Sequence, residues 1–131
     1  MEIVVDVSEL ENFLKGKLAD PERMKNAAAN ALAANVLKKV QRFTPVRNGH
    51  LRRGWYTVPA VDGTAVVANN IEYAPHVEYG HRQEVGRYVP ALGKRLVKGW
   101  VPGHHMLQKA VDETDADKNA IVRRAIERQI K

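Results

Sequence analysis

Two prolines bracket the longest apolar pattern in the chain and fix one long helix between them. Asp20-Pro21 pairs a side-chain cap with a proline at the first helical position, where its missing N–H is no loss. Thr44-Pro45 is the matching stop, because the residue before a proline is driven out of the helical region. Between them Met24, Ala28, Leu32, Val36 and Val40 recur every four residues, so the spacing predicts a helix from 21 to about 42. Its many alanines let a neighbouring element approach closely.

On either side the pattern changes. Residues 2–7 are a short β-branched run that reads as an edge strand, and Ser8 with Glu11 forms a capping box ahead of Leu10, Phe13 and Leu14. Beyond the long helix, residues 51–58 and 64–69 flank Asp62-Gly63, which predicts an antiparallel hairpin about a tight turn, with Pro59 at the strand end and Trp55 in the core. Residues 83–99, with their glycines and a proline, read as a long mobile loop or an irregular extra hairpin. After Pro102-Gly103 two apolar stripes follow, Met106, Leu107, Ala110 and Val111, then Ile121, Val122, Ala125, Ile126 and Ile130. The polar run from Asp112 to Asn119 between them is expected to break or kink the helix, leaving the second stripe uncovered and free to meet a partner over residues 115–131. The fold class is α+β: N-terminal helices, a central antiparallel hairpin or small sheet, and a C-terminal helix.

A chain of 131 residues suits a single domain, 1–131. It has no cysteine, which excludes disulfides, thiolate metal sites and cysteine nucleophiles. The first residues lack a leader's basic and apolar regions, and no apolar run approaches the roughly 20 residues that span a bilayer, so a soluble protein made in the cytoplasm is expected. The net charge of +6 is concentrated in the middle of the chain: residues 45–99 carry eight Lys/Arg against four Asp/Glu. Within it Arg82, Arg87, Lys94, Arg95 and Lys98 face only Glu84. Such a stretch meets something acidic, nucleic acid or protein, or serves simply as a solvated loop.

Catalytic constellations are weak. His76, Glu78 and His81 fall within six residues and His104-His105 follow, but their spacing does not converge ligands as two histidines one helical turn apart would. The only serine, Ser8, is better explained as a helix cap, and the acids of 112–117 as a solvated helix face. No glycine loop cradles a phosphate. No metal or cofactor is expected. Three classes remain: a structural protein, a nucleic-acid-binding module using the basic 81–98 segment, and a metal-dependent hydrolase built from the histidines.

Three strings sharpen the choice. Thr44-Pro45-Val46-Arg47-Asn48-Gly49-His50-Leu51-Arg52-Arg53-Gly54-Trp55, then Asn70-Ile71-Glu72-Tyr73-Ala74-Pro75-His76-Val77-Glu78-Tyr79-Gly80-His81-Arg82, then Val101-Pro102-Gly103-His104-His105-Met106-Leu107 stand in order. Together they resemble the minor tail or tail-completion proteins of tailed bacteriophages, a family also described as tail-component, head–tail joining or minor capsid proteins. The resemblance implies an α+β fold and a non-enzymatic virion protein of the tail or neck. It also implies assembly with other neck proteins (tail terminator, head-completion or connector proteins) as a homo-oligomer whose ring lumen would allow contact with DNA, away from any membrane. The motif residues Pro45, Gly49, Leu51, Trp55, Tyr73, Glu78, Tyr79 and Gly80 then act as scaffold. Gly49 is expected to supply a left-handed turn, and Glu78 to pair with Arg52, Arg53 or Arg82. Arg82, Arg87, Lys94, Arg95 and Lys98 in the loop, with Ile121, Val122 and Ile126 on the last helix, are the expected partner contacts.

Overall fold

A computed structural model describes residues 1–8, 20–45, 49–82, 88–89, 94–95 and 99–130. The short helix expected after Ser8 lies outside them. The long helix α1 spans Pro21–Phe43, with the Asp20 side chain accepting the Arg23 amide at 3.1 Å, as the start signal requires. At its other end the Thr44 amide and hydroxyl both donate to the Val40 carbonyl, at 2.9 and 2.6 Å.

A three-stranded antiparallel sheet lies on α1, in the order β1 (Glu2–Asp6), β3 (Thr64–Ala68), β2 (Tyr56–Val61). Asp62 and Gly63 both adopt positive φ, 52° and 79°, the geometry a two-residue hairpin turn demands. The register slips between Val58 and Val61, around Pro59, so the proline occupies an irregularity of an edge strand where no ladder N–H is needed. Two asparagines of α1 hold this hairpin by its backbone: Asn30 accepts the Ala60 amide and Asn26 the Gly63 amide, each at 2.8 Å. The face away from α1 carries a row of aligned valines, Val4, Val66 and Val58, with Val4 and Val58 exposed.

The hairpin begins later than the sequence predicts. Residues Gly49–Arg53 form a short helix, α2, instead of the first part of a strand. Leu-Arg-Arg are helix formers, and the β-branched residues that favour a strand begin only at Thr57. Gly49 opens this turn outside the left-handed region; among the described residues the left-handed glycines are Gly63 and Gly80.

Three further elements complete the order: α3 (Ala74–Tyr79), a two-stranded ladder of β4 (Gly80–Arg82) with β7 (Trp100–Pro102), and the final helix α4 (Met106–Ile130). A second ladder, β5 (Tyr88–Val89) with β6 (Lys94–Arg95), is nested in sequence inside the first. Of the two readings of residues 83–99, the described part thus carries the pairing of an extra hairpin.

The expected break at residues 112–119 is absent, since α4 is continuous and lies antiparallel along α1. Glu113 takes Lys39 and Arg42 at 3.1 Å, Thr114 reaches Asn35 at 2.8 Å, and Arg23 donates to Gln129 at 2.7 Å. The polar residues face outward or pair with α1, so the helix has no reason to kink. The second stripe is therefore largely covered: Ile121 and Ala125 are buried, and Val122 and Ile126 half-buried. The core joins Ala29, Ala33, Val36 and Val40 of α1 to Leu51, Trp55, Ala65, Val67, Met106, Leu107 and Ala110. Among the described residues no helix is long and apolar enough to cross a membrane.

Two tests follow from this packing. Trp55 is only 3% exposed, so Trp55→Ala should destabilise by roughly 3–5 kcal/mol in denaturant titration. The Glu113 carboxyl is held below its ordinary value of 4.5, first by its hydrogen bond to Lys39 and then by the charges of Lys39 and Arg42. A folded-state value below the unfolded one means that the pair stabilises above pH 4.5 and is lost as pH falls through the folded value. The melting-temperature gap between wild type and Glu113→Gln should be constant near neutrality and close on acidification below that point.

Candidate functional site

The three sequence strings meet at one junction, where the end of α1 and the start of α4 come together. Its first link is the Thr44 hydroxyl. While it donates to Val40, it accepts the Trp55 indole N–H at 3.1 Å and lies 3.5 Å from the Met106 sulfur. Arg52 donates to the Thr44 carbonyl at 3.1 Å, and Gln41 of α1 reaches the Arg52 carbonyl at 3.4 Å. Thr44, Leu51 and Trp55 are all buried, so these bonds form where water does not compete.

Asn69, fully buried, is the second link. Its amide nitrogen donates to the Leu51 carbonyl at 2.9 Å and its oxygen accepts the Ile71 amide at 3.0 Å. Its backbone pairs with Met1, extending the β1–β3 ladder. The side chain thereby ties α2 to the turn that leads into α3.

The third link is Glu78. Both oxygens of this buried carboxylate accept amides from the first turn of α4: Leu107 at 2.7 Å and Gln108 at 3.0 Å. The sequence expectation of a partner in Arg52, Arg53 or Arg82 is not met. A helix leaves its first amides without internal partners, and a carboxylate there is also favoured by the helix dipole. The residues before Met106 are Gly103-His104-His105, which offer no Ser, Thr, Asp or Asn cap. That missing cap, beside an acid set among apolar and aromatic residues at 77–79, was the signal in the sequence. Backbone bonds reinforce the contact, from the His104 amide to the Val77 carbonyl at 2.7 Å and from the His105 amide to the Glu78 carbonyl at 3.1 Å.

Gly80 follows immediately, with φ of 87°. A Cβ there would strike the Val101 carbonyl and lie 2.8 Å from the Trp100 ring, so only glycine lets β7 cross this closely. Around the crossing Tyr79 and Trp100 are exposed, at 63% and 51%, and Tyr73 is partly so. Arg82 sits directly across the ladder from Trp100. His76 and His81 stack with ring centroids 5.3 Å apart, while His104 and His105 are exposed. Among the described residues no group of three or more His, Asp or Glu could hold a metal ion.

The structure thus brings Pro45, Leu51, Trp55, Glu78 and Gly80 to one junction, and places Tyr73 and Tyr79 at its surface. Arg82 lies in β4 and Lys94 and Arg95 in β6, while Arg87 and Lys98 are outside the described residues. Asn69 and the asparagines of α1 had no sequence signal beyond their type. Replacing Glu78 with Ala should lower stability by roughly 1–3 kcal/mol through the orphaned amides, measured by thermal unfolding.

A search of curated proteins and of solved structures gives no match. A protein-family model described as "Bacteriophage HK97-gp10, putative tail-component" matches residues 8–80, which contain the first two strings up to Gly80. This chain therefore belongs to the HK97-gp10-like family of bacteriophage tail components.

Proposed function

We propose that this protein is a non-enzymatic joining subunit of the phage neck, a tail-completion or head–tail joining component acting as a single domain. The observation that carries this reading is the use of the junction's polar groups. Thr44, Arg52, Asn69 and Glu78 each bond backbone or side-chain partners that join one element to the next. Groups held this way position a scaffold. Membership in a tail-component family supports a virion location and contacts with other virion proteins.

On this reading the contacts are made by what the scaffold displays. Residues 80–102 carry two nested ladders with Arg82, Lys94 and Arg95, flanked by exposed Tyr79 and Trp100. Arg87 and Lys98 belong to the same stretch of sequence. Aromatic and arginine side chains are the groups most often decisive at protein interfaces. Tail terminator, head-completion or connector proteins are the proposed partners, and Val122 and Ile126 add a half-buried apolar margin on α4 beside buried Ile121. A second reading, single-stranded nucleic-acid binding, draws on the pairing of Arg82 with Trp100, since bases stack on such side chains.

In the parent phage, replacing Arg82, Arg87, Lys94 and Arg95 with Ala should leave the isolated protein folded. It should also yield filled heads and tails that fail to join, seen by electron microscopy. Normal joining with the quadruple variant would contradict the reading. Wild-type DNA binding with a steep salt slope, lost in the variant, would favour the second one.

A further inference from the structure

Between α1 and α4 runs an open groove of about 330 Å³, lined by Ala31, Ala34, Asn35 and Lys38 with Ile121, Arg124 and Arg128. Its lining carries three positive charges and no negative one. Lys38, Arg124 and Arg128 are all exposed, and none of them enters an ion pair found among the described residues. Asp117 and Glu127 of α4 neither line the groove nor pair with these cations. To either side the two helices meet through complementary groups. Toward one end Glu113 takes Lys39 and Arg42 and Thr114 meets Asn35, and toward the other Arg23 donates to Gln129. At the groove, cations stand on both helices instead. Arg124 and Arg128 are also one turn apart on the same side of α4, where like charges repel. The chain's own residues leave that repulsion uncompensated, so the groove is complementary to an anionic partner.

The size and floor of the groove say which kind. Residues 31–38 and 121–128 each run about two helical turns, roughly 10 Å at 1.5 Å per residue. Ala31 and Ala34 let a third helix approach to the roughly 8–10 Å of ordinary helix packing, and Ile121 offers it an apolar contact. Duplex DNA is served less well. It carries one negative charge per about 1.7 Å of axis and gains little from an alanine floor. It would also run on to exposed Asp117, two turns before Arg124 on the same side of α4. A short acidic helix can place its carboxylates at the three cations and stop there.

We infer that the groove between α1 and α4 is a docking site for an acidic helical segment of another protein. The partner's carboxylates meet Lys38, Arg124 and Arg128, while its small apolar side chains rest on Ala31, Ala34 and Ile121. A contact two turns long falls short of the roughly 800 Å² per partner of a stable interface, so it is weak alone and screened by salt. The groove shares no residue with the rim at β4–β7. The inference does not depend on the neck reading, which is tested in particles.

An NMR titration of the full chain tests it. The probe is a synthetic helical peptide of about 18 residues, an alanine and leucine stripe flanked by glutamates. Amide signals should move at the groove, Ala34, Lys38, Arg124 and Arg128 among them, and affinity should fall as salt rises. The same peptide with glutamine in place of glutamate should bind at least tenfold more weakly. The double variant Arg124→Glu, Arg128→Glu should bind the glutamate peptide at least tenfold more weakly and gain binding to a lysine version. That gain also shows that the variant is folded. No shift at the groove in millimolar glutamate peptide, equal binding of the glutamine peptide, or shifts confined to β4–β7 would each overturn the inference. So would a DNA duplex that moves the same amides at lower concentration than the peptide, which would make the groove a nucleic-acid surface.

Discussion

The Glu78 carboxylate is held out of water by the first turn of α4, and the placement of that helix, the longest among the described residues, depends on it. A buried carboxylate is costly unless its oxygens are satisfied, and a helix N-terminus is costly unless its amides are. Here each need is met by the other, through charge-assisted bonds of 2.7 and 3.0 Å. Because α4 supplies Met106, Leu107 and Ala110 to the core, fixing its first turn fixes how it lies along α1. The crossing at Gly80 places β7 so that it delivers the chain to that turn, and the Thr44 hydroxyl closes the arrangement by meeting Trp55 and the Met106 sulfur. Three separated strings thus become one structural unit.

Local chemistry with a strong backbone preference was legible in the sequence. The prolines at 21 and 45 gave the bounds of α1, and Asp62-Gly63 gave the hairpin turn, because each restricts φ or ψ whatever surrounds it. What was misread depended on long-range partners. Residues 49–53 look extendable beside the hairpin, yet Leu51 is buried against α1 from a short helix closed by Asn69 on its carbonyl. The polar run in α4 looks like an interruption until Lys39, Arg42 and Asn35 are seen to receive it. Glu78 was recognised as a motif residue, but its partner is an amide pair 29 and 30 residues away, which no periodicity reports.

The division between inside and outside bears on function. The family strings supply buried bonds and close approaches, while among the described residues the groups available to other molecules include the aromatic and basic rim at β4–β7 and the valine row of the sheet. On the proposed reading, a joining protein needs a rigid body more than a reactive centre, since its displayed residues must hold their relative positions while neighbours bind. The buried bonds of Thr44, Asn69 and Glu78 are what the junction offers toward such a body.

Amide hydrogen exchange at Leu107 and Gln108 tests the central claim most directly, comparing wild type with Glu78→Gln under native conditions. A neutral amide can keep at most one acceptor on the pair and brings a donor against the other. Protection at these two amides should therefore fall sharply in the variant, with a smaller loss spreading to the first turns of α4, while the centre of α1 keeps its protection. Equal protection at Leu107 and Gln108 in both proteins would show that the carboxylate does not hold the helix, and would contradict the account.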